Sequence, residues 1–354
     1  MREHQVVCSL FFLLVLFMQV SSVQLISLPE AWQGKEHPLC AFLNEAQEEV
    51  YMGTFKIHES VPPQQPIIQQ MTDLVQRGVK VHLLAENKLT EIEKQNFGEK
   101  VDSLSIYKES GARIYSSQAE NSQEQCHIKV FIVDGSKAMV GNTNFDKAPE
   151  GTPDRPGSRD FVAVVDQLDV VKELKEGFQS MIDNTPFEGK SKKLIWGPSK
   201  QREKLTSMIQ NALHRIYIYQ QDITDSSIVE AICSASQRGV DVQVIMSPHP
   251  FGTSKPDNNI PHQKRIAEAG GQVFLNQRLN IHAKVLIADN QMYIGSTNFY
   301  QPSIDSNKNV GLIIDDFDVI HQVIETFESD KKKPLIHTLK ALAVFSSVLN
   351  DQNP

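Results

Sequence analysis

HIKVFIVDGSKAMVGNTN, residues 127–144, returns as IHAKVLIADNQMYIGSTN at residues 281–298. Both copies keep HxKxxxxD, then a short apolar run, then GxxN. In an extended strand, residues two apart leave the same face. His127 and Lys129 therefore stand side by side, as do His282 and Lys284. Each strand ends at an aspartate, Asp134 or Asp289, and the next apolar run ends at Gly141 or Gly295. A tight turn at each glycine is expected to bring Asn142-Thr143-Asn144 and Ser296-Thr297-Asn298 back beside the histidines.

The repetition spreads outward from these motifs, and its extent decides the fold. EEVYMGTFKIHES (48–60) matches HRIYIYQQDITDS (214–226), and DLVQRGVKVHLLAEN matches ASQRGVDVQVIMSP. ESGARIY matches EAGGQVF, and each copy closes on an apolar strand followed by a helical pattern. The order in both is β-α-β-β-β-β-α. Gly78 and Gly239 each follow a helical stretch and precede an alternating strand, the place of a glycine that ends a helix. Strands alternating with helices predict an α/β protein with mixed sheets. The halves, residues 36–187 and 198–330, are expected to join through EGKSKKLIWGPSK at about 188–200 and to pack about a pseudo-twofold axis. A site at that axis receives one motif from each half.

With 354 residues and 40% hydrophobic composition, the chain can bury two ordinary domains. A net charge of −8 gives it no global basic field for a polyanion. Residues 1–22 set Arg2 and His4 before an apolar stretch ending near Ser21 and Ser22. That layout predicts an export signal cleaved near Ser22, with an uncleaved anchor as the alternative. The expected location is extracellular or periplasmic, with peripheral membrane association as a further option. Cys40, Cys126 and Cys233 are too scattered for a disulfide framework or a metal pair. Cys126 precedes His127, but its counterpart before His282 is Ile281, which argues against a thiol nucleophile.

Two imidazoles, two ammoniums and two amides, without a carboxylate cluster for a hard metal, suit an anion. A phosphodiester needs its free oxygens neutralised, a nucleophile on one side and a proton for the leaving oxygen. Paired His/Lys/Asn sets supply all three with no metal and no cofactor. The two motifs resemble the HKD motifs of the phospholipase D superfamily, and the likeness covers nearly the whole chain after residue 22. The resemblance implies two α/β/α halves, one shared active site and a phosphohistidine intermediate. It implies that His127 attacks phosphorus, that His282 protonates the leaving alcohol, and that Lys129, Lys284, Asn144 and Asn298, with Ser296, hold the phosphate. By the same likeness Asp134 and Asp289 are structural. Superfamily members often place an acid some fifteen residues past the motif to bind the histidine's other nitrogen. That register holds Asp160 in the first half and Asn309 in the second. Pairing Asp160 with His127 favours His127 as the nucleophile.

Substrate is less legible, because the superfamily spans phospholipases, phospholipid synthases and nucleases. The acidic composition weighs against a nuclease, which needs a basic channel. Residues 331–354 join Lys331, Lys332 and Lys333 to an apolar stripe at Leu335, Leu339, Leu342, Phe345 and Leu349. Such a segment either docks on an anionic lipid surface or packs its stripe on the domain. Two Pro/Gly-rich loops, 146–158 and 249–262, are placed to rim the site. The expected partner is phospholipid at a membrane surface, and the expected activity is release or exchange of its head group. A secreted endonuclease is the alternative, and an idle phosphate-binding protein is the third reading.

Overall fold

The computed structural model describes residues 23–31, 38–55, 57–58, 66–86, 91–93, 100–102, 107–117, 124–146, 157–250 and 255–332. Residues 1–22, where an export signal is expected, and the tail from 333 onward lie outside the described residues.

In the first half, the strands are β1 (Gln24–Leu28), β2 (Glu49–Thr54), β3 (Ile57–His58), β4 (Lys80–Glu86), β5 (Glu91–Glu93), β6 (Lys100–Asp102), β7 (Arg113–Ser117), β8 (Lys129–Val133), β9 (Lys137–Gly141), β10 (Phe145–Asp146) and β11 (Ser158–Val165). Its helices are α1 (Pro38–Leu43), α2 (Pro66–Gln76) and α3 (Leu168–Ile182). The second half has β12 (Leu194–Trp196), β13 (Arg215–Tyr219), β14 (Asp241–Met246), β15 (Gln272–Leu275), β16 (Asn280–Ile281), β17 (Val285–Ala288), β18 (Gln291–Gly295) and β19 (Val310–Ile314). Helices α4 (Gln201–Asn211), α5 (Ser226–Gln237), α6 (Ile260–Glu268), α7 (Gln301–Asp305) and α8 (Phe317–Lys332) complete it.

The two main sheets follow one plan. The first runs β1-β11-β9-β8-β2-β4-β7 and the second β12-β19-β18-β17-β13-β14-β15. In each, the last three strands are parallel and the rest antiparallel. Alternating side chains give each motif strand two buried faces. Val130 and Ile132 face a central core shared with Val285 and Ile287, while Phe131 and Val133 face the outer helices. Helices α3 and α8 lie in that central layer, contributing Val170, Val171, Leu174 and Phe178 on one side and Val319, Ile320, Val323 and Phe327 on the other. Burying one such aliphatic side chain contributes roughly 1.5–3 kcal/mol, so the shared core fixes the halves against each other.

The structure departs from the sequence reading in several places. Strand β1 lies before residue 36 yet forms the edge of the first sheet, pairing Leu28 with Asp160. The joint at 188–200 contains β12, whose Leu194, Ile195 and Trp196 are all buried. Trp196 donates to Glu173 of α3 at 3.0 Å, so the joint is a packed edge strand rather than a linker. Three apolar residues among lysines and glycines left no visible alternation to reveal it. Finally, the motif copies differ by one residue: the first turn pairs Val133 with Lys137, whereas the second pairs Ala288 with Gln291.

The glycines divide into two physical roles. Gly78 and Gly239 have φ of 85° and 90°, the left-handed conformation that ends a helix without steric cost. Gly141 and Gly295 have no such φ, so a tight turn is not what requires them. A Cβ at Gly141 would meet the Phe161 carbonyl oxygen at 2.5 Å, and one at Gly295 the Gly311 Cα at 2.6 Å. Their role is to let β11 and β19 close on the motif strands.

Candidate active site

The motif aspartates sit at the end of each strand away from its histidine. Asp134 accepts the backbone N–H groups of Gln47, Glu48 and Glu49 at 2.8–2.9 Å. Asp289 accepts those of Leu213, His214 and Arg215 at 2.8–3.0 Å. Partial burial pulls each carboxyl upward, but these backbone donors outweigh it and hold both below the usual range. Each aspartate thus caps the start of the central strand, β2 or β13, and none of these contacts reaches the histidines.

At the opposite end, the two halves exchange residues. The start of β11 pairs in parallel with β16, and His282 N–H donates to the Arg159 carbonyl at 3.2 Å. Symmetrically, Lys308 bridges Cys126, and His127 N–H donates to the Lys308 carbonyl at 2.9 Å. The closing strand of each half therefore lies against the histidine of the other. Asp160 is bonded to His282 through Nδ1 at 2.7 Å. Asn309 is bonded to His127, its Oδ1 lying 3.2 Å from Nδ1. This corrects the same-half pairing of Asp160 with His127. Sequence register measures distance along one chain, whereas the crossing is made between sheets, so the register found the right residues and assigned them to the wrong partners.

His127 is 6% exposed, and its Nδ1 lies 2.8 Å from the Ser296 carbonyl. A carbonyl only accepts, so Nδ1 carries the proton and Nε2 the lone pair. Burial, then the charges of Lys129 and Lys284, push this imidazole well below its ordinary pKa. His127 is held as a neutral base. Burial also lowers His282, but the Asp160 carboxylate opposes that shift.

Lys129 and Lys284 are buried, 1% and 0% exposed, and each ammonium turns back on its own motif. Lys129 Nζ donates to the His127 carbonyl at 2.8 Å, and Lys284 Nζ donates to the His282 carbonyl. Burial pushes Lys284 down to about 7 despite Asp160 and Asp222. The side-chain oxygens of Asn144 and Asn298 are buried without a hydrogen-bond partner among the described residues. Rotating either amide by half a turn exchanges its oxygen and nitrogen and presents a donor instead. Two such unpartnered amides at the ends of the two motifs have the chemistry to receive an anion's oxygens. Ser296 Oγ donates to Asn309 Oδ1 at 2.8 Å, so it fixes His127's partner as well as bordering the site.

The contacts of Asn142, and the residues Phe55 and Gln221 altogether, escaped the sequence reading. Asn142 donates through Nδ2 to the carbonyls of Lys284 at 3.1 Å and Gly295 at 2.6 Å, tying one motif to the other. Phe55 sets its ring against His127, with centroids 4.5 Å apart, and lies 4.9 Å from Lys129 Nζ. Its counterpart is Gln221, which accepts from Lys284 Nζ at 3.4 Å. The repeat offered a signal, since GTFK and YQQD fall at the same place in the two halves and differ at every position. Cys126 is buried, and burial pushes its thiol up to about 12, which removes it as a nucleophile at neutral pH. Of the two expected rim loops, residues 147–156 and 251–254 lie outside the described residues. A separate cavity of 730 Å³, lined by Lys190, Lys192, Lys200, Lys204 and Asp289, is at the far end of the second half and contains neither histidine. Among the described residues, no group of three or more His, Cys, Asp or Glu side chains could hold a metal ion.

Comparison with known proteins gives a consistent picture. The family described as "Cardiolipin synthase, PLD-like domain" matches residues 39–182 and 205–331. Cardiolipin synthase A of Pseudomonas syringae pv. syringae is 27% identical over 232 residues, covering 58% of this chain and 47% of that protein. The minor cardiolipin synthase of Bacillus subtilis is 24% identical over 239 residues, covering 62% of this chain and 59% of its own. The chain thus spans about half the length of the curated relatives it matches. Among solved structures, the phosphatidylserine synthase of Haemophilus influenzae superposes with a TM-score of 0.67 at 10% identity, covering 89% of this chain and 86% of that one. A polyphosphate kinase from Porphyromonas gingivalis gives 0.63 at 15% identity, covering 87% and 46%. At these identities the superpositions show a shared fold.

Proposed function

The chain belongs to the phospholipase D superfamily, and from that premise we propose that it turns over the head-group phosphodiester of glycerophospholipids through a covalent phosphohistidine. The observation that carries this reading is the crossing of the halves, which brings two histidines and two buried lysines into one neighbourhood, with the buried, unpartnered side-chain oxygens of Asn144 and Asn298 at the ends of the two motifs.

In the proposed cycle, Nε2 of neutral His127 attacks phosphorus and the P–O bond to the head group breaks. His282 gives its Nε2 proton to the departing oxygen. It then takes a proton from water or an acceptor alcohol, whose oxygen displaces His127 from phosphorus. Lys129, Lys284, Asn144 and Asn298 hold the nonbridging oxygens throughout. Because Asp160 belongs to His282, it does not mark His127 as the nucleophile. The nucleophile must be unprotonated, and burial with the two lysines depresses His127 strongly, whereas at His282 the Asp160 carboxylate opposes the lowering by burial and favours the proton an acid needs. The cardiolipin synthase relatives favour transfer to an alcohol over hydrolysis alone. We further propose export through residues 1–22, which bears only on where the lipid is met.

The test uses wild type and His127→Ala with mixed vesicles of phosphatidylglycerol and phosphatidylcholine in EDTA, scoring free head group, cardiolipin and, in parallel, DNA cleavage. Lipid products lost in the variant support the proposal. DNA cleavage without lipid turnover contradicts it and makes the chain a nuclease.

A further inference from the structure

We infer that Arg159 is a positioning residue for the His282–Asp160 pair, held by an ion cluster that joins the first strand of the fold to its last helix. Arg159 is 1% exposed, among the largest fully buried side chains of the protein. All five of its guanidinium N–H groups have acceptors. Nε and Nη2 donate to the Asp330 carboxylate of α8 at 2.7 and 2.9 Å. Nη1 and Nη2 donate to Glu30, just past β1, at 2.5 and 2.8 Å. Nη1 also donates to the Leu28 carbonyl at 2.7 Å, and the Tyr219 hydroxyl donates to Asp330 at 2.8 Å.

What this cluster holds is the strand segment that organises the acid. The Arg159 carbonyl accepts His282 N–H, Arg159 is paired with Ile281, and the next residue supplies the carboxylate on His282 Nδ1. Successive side chains of a strand point to opposite faces, so the guanidinium anchors the strand from behind while Asp160 reaches forward. The counterpart on the other side is Lys308, whose side chain is 22% exposed and meets Glu124 at 3.3 Å. Of the two histidine segments, the one bearing the carboxylate is locked by a buried bidentate arginine.

The inference rests on His282 being the general acid, and its test separates the two claims. First-turnover rates are measured on two phosphodiesters of one lipid, an alkyl head group that needs a proton to leave and a p-nitrophenyl group that does not. His282→Ala sets the full alkyl-to-aryl discrimination. Arg159→Lys keeps the charge but loses the fork, Asp330→Asn keeps the shape but loses the charge, and Glu30→Gln removes the charge of a half-exposed partner of the same guanidinium. Thermal melting establishes that each variant is folded. The expected result is a roughly 10- to 100-fold loss on the alkyl substrate for Arg159→Lys or Asp330→Asn, at least tenfold larger than on the aryl one, with Glu30→Gln smaller in the same sense. Equal losses on both substrates, or wild-type rates on both, would overturn the positioning role while leaving the superfamily reaction intact. If His282→Ala itself failed to discriminate, the acid assignment and this inference would fall together.

Discussion

The two histidines occupy matching positions in matching sheets and share their backbone contacts, yet the side chains around their rings differ. His127 leans on Phe55, gives its Nδ1 proton to a neutral carbonyl and faces the amide of Asn309. His282 has a carboxylate at Nδ1 and Gln221 beside its lysine. Next to Gln221 is Asp222, whose carboxyl burial pushes above its usual range. The backbone skeleton of the two halves is common, so the differences lie in what each closing strand delivers: Arg159-Asp160 from the first and Lys308-Asn309 from the second. A duplicated scaffold holds one imidazole against a neutral carbonyl and an amide and the other against a carboxylate. The comparison teaches that a symmetric fold divides its labour through the residues it exchanges across the axis.

The most damaging way to break the comparison is to remove either imidazole. His127→Ala and His282→Ala are each expected to lower phospholipid turnover by at least about 10³-fold. More than a few per cent of wild-type activity in either variant contradicts a paired mechanism. Next is Asp160→Asn, which gives His282 an amide partner like that of His127. Turnover at neutral pH should fall by roughly 10- to 100-fold, and an unchanged rate would show that the carboxylate does not support the acid.

Lys284 sharpens the comparison through pH. With its pKa near 7, the free ammonium loses its proton above neutrality, while a bound anion favours the charged form. Phosphate inhibition should therefore weaken as pH rises through and above 7, by up to about tenfold per unit. Lys284→Met should flatten that dependence, and an equally steep profile in the variant would place the titration elsewhere. The smallest expected effect comes from Asn309→Asp. A carboxylate at His127 would counter the desolvation that now depresses it, raising its pKa. The acid limb of the kcat/KM profile should move upward, with several-fold loss on its low-pH side. An unmoved limb would mean that His127 is not the group titrating there.

Much of this was legible in the sequence because a repeat doubles every signal. Each HxKxxxxD run had a second copy to confirm it, and the helix-ending glycines at 78 and 239 came with it. What was not legible depends on contacts between the copies. No spacing along one chain says that Asp160 crosses to His282, or that Asn142 reaches the carbonyls of Lys284 and Gly295. Gly141 and Gly295 were recognised but given the wrong reason, since their need arises from the neighbouring strand rather than from their own dihedrals. Strand β12 was hidden for another reason: three residues are too few to show a period, and its burial is decided by Trp196 finding α3.

The division of labour is tested most directly by trapping the intermediate. A p-nitrophenyl phosphodiester would be given to His282→Ala, the reaction quenched in alkali, and the phosphorylated peptide located by mass spectrometry. The account predicts a stoichiometric burst of p-nitrophenol with the phosphoryl adduct on His127. An adduct on His282 in the His127→Ala protein, with none on His127 in the reciprocal variant, would contradict it and exchange the roles of the two halves.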